Sequence, residues 1–333
     1  MSLWEELSFL APPDEAQDWR MVVLCNAAAQ AGVLAALPAT PAELAGRLGL
    51  DEHAVGVVLE ALAAWSVVRA TAGEVWVLGP RAPSADATAV LGHHARALGL
   101  WSSNLDDRLH GRSSPQARPT PQKVAQMLEA LTINGRESAP GTVDACLARV
   151  PGATQALDLG GGHGEYALEL TRRGLAVTVQ DQDHVIEAAR EAGRLEQAGI
   201  DLFAGDFFEV LPEGPFDLVL CAGVTYTFDA ARNVELYRRV RSILAPGGVL
   251  AVHTFLRGTD PRAALFAVQM LSGGRGGDTH SEEEHRRWLG DAGYDSVEVV
   301  TLARRPESLV FAQGPPGPQS ESAAIIDSSR KPR

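Results

Sequence analysis

The sequence predicts an α/β protein: a mostly parallel sheet with helices on both faces, preceded by a mainly helical region. Two observations carry this. From residue 155 onward, short β-rich runs alternate with helical segments, the rhythm of strand–helix–strand units. Before residue 110, three helical segments lead into a small two-stranded hairpin, the order of a winged helix.

The elements follow in chain order. Residues 19–37 read as an amphipathic helix, and a Pro38–Pro41 turn leads to a short helix, Ala42–Leu48, closed by Gly49. Asp51 is placed to cap a helix running to about Trp65. Val67–Ala70 and Glu74–Leu78 alternate apolar and polar residues around a Thr-Ala-Gly turn, as a hairpin does. Residues 84–111 read as helical and are followed by a Pro-rich loop, Arg112–Gln122. Two further helices are expected, from about Lys123 to Asn134 and onward to Val150. The strands are Gln155–Leu159, Ala176–Gln180, Phe216–Cys221 and Val249–Thr254, separated by helices near 165–173, 183–198 and 230–244. After Gln313 the Gly-, Pro- and Ser-rich composition reads as a disordered tail. The expected organisation is therefore 1–110, 111–313 and a tail, 314–333.

Composition excludes several classes. The 333 residues carry a formal net charge of −13, and residues 1–110 contain 13 acids against six arginines. The third helix, Asp51–Trp65, has no Lys or Arg. Phosphate contacts supply most non-specific affinity for DNA, so the winged helix is expected to serve pairing with a second copy, and nucleic acid is not an expected partner. Cys25, Cys146 and Cys221 are too few and too scattered for a disulfide framework or a metal knuckle. No segment reads as a signal peptide or spanning helix, so a cytoplasmic protein without a membrane partner is expected.

The segment richest in chemistry is Asp158-Leu159-Gly160-Gly161-Gly162-His163-Gly164. An apolar strand ends in an acid, and glycines then let the backbone turn tightly and approach a ligand. A carboxylate ahead of the first glycine repels pyrophosphate and attracts the ammonium of an amino acid. Asp181 closes the second strand 21 residues after Gly160, where a carboxylate accepts from ribose hydroxyls. Gly205-Asp206-Phe207-Phe208 offers a carboxylate for an amino group with aromatic faces beside it, and Leu244-Ala245-Pro246-Gly247-Gly248 is a turn into an apolar strand.

With these motifs the chain resembles the S-adenosylmethionine-dependent methyltransferases. It is most similar to the homodimeric small-molecule O-methyltransferases with an N-terminal winged-helix dimerisation domain. The likeness spans about residues 15–313 and includes Leu44-Ala45-Gly46-Arg47-Leu48-Gly49-Leu50 and Leu59-Glu60-Ala61-Leu62 in the first domain. It implies a Rossmann-like class I methyltransferase domain with a mostly parallel seven-stranded sheet, S-adenosylmethionine as cofactor and S-adenosylhomocysteine as product. It implies that Asp158, Gly160, Gly161, Gly162 and Gly164 flank the methionine part, that Asp181 holds the ribose, and that Asp206 with Phe207 frames the adenine. Cys221, at the end of its strand, is counted with this cofactor set.

The resemblance breaks after the fourth strand. Relatives that methylate phenols carry His-Asp-Trp there, whereas this chain has Tyr226-Thr227-Phe228. An unperturbed phenol, with a pKa of about 10, is a poor base at neutral pH but can orient an acceptor. Tyr226 is therefore the expected acceptor contact, with His253 and His280 as the residues expected to handle protons. His163 reads as a cofactor-shell residue and His285 as a solvated helix residue. His253, His280 and Asp278 would make a conceivable metal set, but their spacing does not support one, and none is expected. The acceptor is expected to be a small aromatic or polyketide-like metabolite, methylated on oxygen or carbon. The alternative is an enzyme of this fold that binds the cofactor without transferring its methyl group.

Overall fold

The computed structural model describes residues 19–112, 121–273, 277–302 and 305–314. The expected tail thus lies outside the described residues apart from Gly314, as does most of the Pro-rich loop. The chain divides into two compact units, residues 1–137 with 271–274 and residues 138–270 with 275–333.

The N-terminal unit begins with α1 (Trp19–Gln30), α2 (Pro41–Leu48) and α3 (Glu52–Ala64). Local chemistry sets their ends. Thr40 and Glu43 form a reciprocal capping box at the start of α2, and Gly49 closes that helix at φ +67°. Asp51 accepts from the Ala54 N–H at 2.8 Å and caps α3. Strands β1 (Val68–Ala70) and β2 (Trp76–Leu78) pair antiparallel as the small wing. Leu44, Leu59 and Leu62 are fully buried beneath them, with Cys25 and Ala28 of α1. The unit then extends through α4 (Ala85–Leu109), a 25-residue helix with no buried side chain.

Helix α5 (Pro121–Leu147) is one continuous element where the sequence suggested two. Pro140 gives up one intrahelical hydrogen bond. Ala139, Val143 and Cys146, spaced i, i+4, i+7, are buried together in the sheet unit and hold the helix through it.

The second unit is built on a sheet ordered β5–β4–β3–β6–β7–β10–β9. Its strands are β3 (Gln155–Leu159), β4 (Ala176–Asp181), β5 (Asp201–Ala204), β6 (Phe216–Ala222), β7 (Leu244–Arg257), β9 (Ser296–Thr301) and β10 (Glu307–Gln313). A two-residue β8 (His280–Ser281) adds to β7. The first five along the path run parallel, and β10 is antiparallel to both β7 and β9. Side chains alternate between faces: Leu157 and Leu159 enter one apolar layer while Ala156 enters the other. Helices α6 (Glu165–Arg172), α7 (Asp183–Ala192), α9 (Ala230–Arg241), α10 (Pro261–Ser272) and α11 (Glu282–Asp291) complete the unit, with the single turn α8 (Arg194–Gln197) after α7. The expected helix 183–198 is interrupted because Gly193 adopts φ +66° and stops α7. The short β5 and the antiparallel pair β9–β10 are strands that the sequence reading did not assign.

All three cysteines are buried and free, Cys25 in the first unit, Cys146 and Cys221 in the second. Among the described residues, no helix is long and apolar enough to cross a membrane.

Candidate functional site

Strand order reverses direction at β3, where β4 lies on one side and β6 on the other. Open α/β sheets bind ligands outside the strand C-termini at such a switch point. The predicted strand-end residues gather there.

Asp158 is fully buried, and neither carboxylate oxygen has a hydrogen-bond partner. Burial pushes its pKa up to about 7; the nearby Asp181 carboxylate adds to this, and the Ala167 N–H opposes it from outside hydrogen-bond geometry. The glycines pack tightly on this end of β3. A Cβ on Gly161 would lie 2.8 Å from Asp158 Cγ, and Gly160, at φ +70°, would place one 2.6 Å from Val224. Only glycine fits both places. Asp181 ties the loop to β4: its Oδ2 accepts from the Gly162 N–H at 2.9 Å and its Oδ1 from the Gln182 N–H at 2.7 Å. Burial raises the Asp181 pKa despite those two donors. Arg194 braces the far side of the loop, bonding the His163 carbonyl and the Glu165 carboxylate.

Asp206, after β5, accepts from the Phe208 N–H at 2.8 Å and so shapes its turn. Phe207, Phe208 and Phe228 form an aromatic cluster in which Phe228 stands edge-on to both others. The Arg232 guanidinium covers the Phe208 ring at 3.7 Å, and Arg239 donates to the Phe207 carbonyl. Cys221 is sealed in the sheet, and burial drives its thiol pKa well above the ordinary range.

Tyr226 lies in the short 3₁₀ turn after β6. Its hydroxyl sits over Gly223, where a Cβ would come within 2.9 Å, and has no hydrogen bond to any described residue. Its ring meets Phe266 edge-on at 4.8 Å, and Phe266 is stacked on Phe255 at 4.1 Å. Burial raises the phenol pKa, so Tyr226 stays protonated and can donate.

The two candidate proton handlers have separate surroundings. His253, on β7, receives the Gly223 N–H on its backbone carbonyl and is only 6% exposed. Its Nε2 is buried without a partner, and the Tyr166 ring lies 5.7 Å away. Burial, then the Arg305 charge, lowers its pKa to about 4, so the imidazole is neutral. His280 instead contacts the Phe228 carbonyl through Nε2 at 3.0 Å and packs edge-on against Trp288. Asp278 is engaged by Arg257 at 2.8 Å, and among the described residues no three His, Cys, Asp or Glu side chains form a metal cluster.

His285 corrects an expectation: it is fully buried rather than solvated. Its Nδ1 meets the Tyr237 hydroxyl at 2.7 Å, because residues 285, 288 and 289 form the inward face of α11. Several residues around His253 escaped the sequence reading. The Tyr166 hydroxyl bonds Ser138 at 2.8 Å, and Arg305 lies 3.6 Å from Glu307. Tyr166 follows the last loop glycine by two residues, which could have flagged it; nothing local marks Arg305 or Glu307.

The fold and this strand-end site define a class I S-adenosylmethionine-dependent methyltransferase. The chain belongs to the O-methyltransferase family, whose domain model matches residues 123–295. It is 28% identical over 322 residues to a 3-hydroxy-5-methyl-1-naphthoate 3-O-methyltransferase of Streptomyces sahachiroi, covering 86% of this chain and 89% of that protein. It is also 28% identical over 302 residues to a 3-amino-4-hydroxybenzoate 4-O-methyltransferase of Streptomyces cremeus, covering 83% and 82%. The fold is similar to that of human N-acetylserotonin methyltransferase, solved in complex with S-adenosylmethionine, with a TM-score of 0.76 at 21% identity over 95% of this chain and all of that one.

The site fits this cofactor. Two orphaned oxygens on a buried carboxyl group call for hydrogen-bond donors, and the described surroundings of Asp158 supply none. A methionine ammonium meets that need.

Proposed function

We propose that the chain transfers a methyl group from S-adenosylmethionine to an oxygen of a small aromatic metabolite. The unpartnered Asp158 carboxylate beside the glycine loop carries the reading. Asp158 with Gly160, Gly161, Gly162 and Gly164 would hold the methionine part, and Asp181 the ribose through its remaining lone pairs. Asp206 and Phe207 would frame the adenine, with Cys221 packed below. Bound S-adenosylmethionine supplies an electrophilic methyl group; the protein aligns the acceptor with it and excludes water. Tyr226 orients the acceptor through its free hydroxyl. Neutral His253, with its unpartnered Nε2, would accept the hydroxyl proton of the acceptor. His280 holds the turn containing Phe228 through its carbonyl. An aromatic acceptor is supported by the Tyr226–Phe255–Phe266 cluster and by the aromatic substrates in the relatives' names.

The test is calorimetry with S-adenosylhomocysteine, followed by incubation with hydroxynaphthoates and aminohydroxybenzoates. The expected result is binding, then methylated product with equimolar S-adenosylhomocysteine. Failure to bind overturns the reading. Binding with substrate conversion but no S-adenosylhomocysteine selects the non-methylating alternative, which the Tyr226-Thr227-Phe228 departure motivates.

The first unit would act as a dimerisation domain, in the cytoplasm. Support comes from α4, which has no fully buried side chain within one chain while Leu98 and Leu109 stand exposed. Light scattering on the purified protein is expected to give twice the 35.3 kDa of one chain. A monomer at micromolar concentration rejects this.

A further inference from the structure

Between α1, α4 and the start of α5 the N-terminal unit forms a half-open pocket of about 400 Å³. That lies within the range of small-ligand sites, about 300–1,000 Å³. Val23, Ala89 and Met127 give it apolar walls, and Asn26, His93 and Arg96 place polar groups on it.

The polar groups are unusual in what they lack. Arg96 donates from Nη2 to His93 Nδ1 at 2.9 Å, and no described carboxylate pairs with it. The bond fixes the His93 tautomer, leaving Nε2 as an N–H donor. Burial pushes the His93 pKa down to about 4 and also lowers that of Arg96. The pair therefore presents one partly desolvated guanidinium charge and a neutral imidazole donor. Asn26 Oδ1 is buried without a partner, and Gly92 keeps the opposing helix surface bare: a Cβ there would come 3.3 Å from that oxygen. A desolvated guanidinium without a counter-ion attracts an oxyanion, and its planar fork matches a carboxylate.

We propose that this cavity binds an aromatic carboxylate, the carboxylate on Arg96 and His93 and the ring against Val23, Ala89 and Met127. The Asn26 carbonyl is free to accept from a hydroxyl or amino substituent on the ring. None of these residues belongs to the strand-end site, so the inference stands apart from the methyl-transfer reading.

The test is calorimetric titration of the full-length protein, without cofactor, with 1-naphthoate and with the uncharged 1-naphthamide. The acid is expected to bind at least ~10-fold more tightly than the amide, because the charge-assisted contact is lost in the latter. Arg96→Met is expected to remove that preference, Arg96→Lys to restore it in part, and Ala89→Phe to exclude both ligands by filling the cavity. Melting curves verify that each variant is folded. Absence of 1-naphthoate binding overturns the proposal. So does equal affinity for acid and amide, or binding unchanged in both Arg96→Met and Ala89→Phe. Because no cofactor is present, such a failure leaves the methyl-transfer reading untouched.

Discussion

Asp158→Asn is expected to weaken S-adenosylhomocysteine binding by about 10–100-fold while raising the melting temperature of the cofactor-free protein. The two effects have one cause. Wild-type Asp158 is a buried carboxyl group with both oxygens unpartnered, so once pH exceeds its pKa of about 7 the protein alone carries a desolvated charge with no compensation. Asparagine removes that charge and stabilises the empty fold. A bound ammonium would make the same carboxylate one partner of a charge-assisted pair, for which about 1.5–3 kcal/mol is typical. The pH dependence gives a second readout. The folded pKa of about 7 lies above the ordinary carboxylate value. The contribution of Asp158 to stability is therefore fully present below about pH 4 and is lost as pH rises through about 7. The melting-temperature gap between variant and wild type should widen from pH 5 to pH 8. Cofactor affinity of the wild type should rise over the same interval, with proton release, while that of the variant stays flat. Calorimetry in buffers of different ionisation enthalpy measures both. A variant that binds as tightly as wild type removes Asp158 from the cofactor site.

His253→Gln is expected to lower kcat by about 10²–10⁴-fold, the usual contribution of a positioned base, with S-adenosylhomocysteine affinity unchanged. Glutamine keeps the volume and hydrogen-bonding capacity but cannot take a proton. With a pKa of about 4, wild-type His253 is in its basic form throughout pH 5.5–8. The wild-type rate should then be level across that range. If the acceptor ionised unaided, the rate would climb about tenfold per pH unit below the acceptor's pKa, and the variant would retain activity. That outcome would falsify the base assignment. Tyr226→Phe separates the roles further: loss of an orienting hydroxyl should raise KM more than it lowers kcat. The two residues flank Gly223, whose N–H bonds the His253 carbonyl and whose Cα lies beneath the Tyr226 hydroxyl.

Asp158 was legible because an apolar run ends there in a glycine turn, Asp181 because it closes the next β-rich run, and Asp206 from its Gly205-Asp206-Phe207-Phe208 motif, although the strand before it was not assigned. Strand period, turn chemistry and charge all act within a few residues there, so Asp158, Asp181 and Asp206 could be placed without coordinates. The capped ends of α3 and α11 were legible for the same reason, since Asp51 and Ser281 act within their own first turns. Long-range packing was not legible. The 285/288/289 face of α11 is masked by three adjacent glutamates, so His285 read as solvated. The Arg305 charge acts on His253 only because β10 pairs antiparallel with β7, opposing Leu309 to His253. Nothing near residue 305 announces that register. Pro140 misled in the opposite sense, because a local breaker was overridden by the packing of Ala139, Val143 and Cys146. The His93–Arg96 pair lies one turn apart on α4, yet the absence of a counter-ion appears only once the neighbouring helices are in place.

The buried cysteines supply each unit with its own clock. A thiol reagent reacts with a solvated thiolate, so Cys25 records when the helical unit opens, and Cys146 and Cys221 record when the sheet does. With Cys146 pushed up to about 12 and Cys221 higher still, neither reacts from the closed state. Labelling followed by mass spectrometry therefore orders the loss of the two units in time. The chain needs no introduced probe for that, because its own sulfur atoms divide between them.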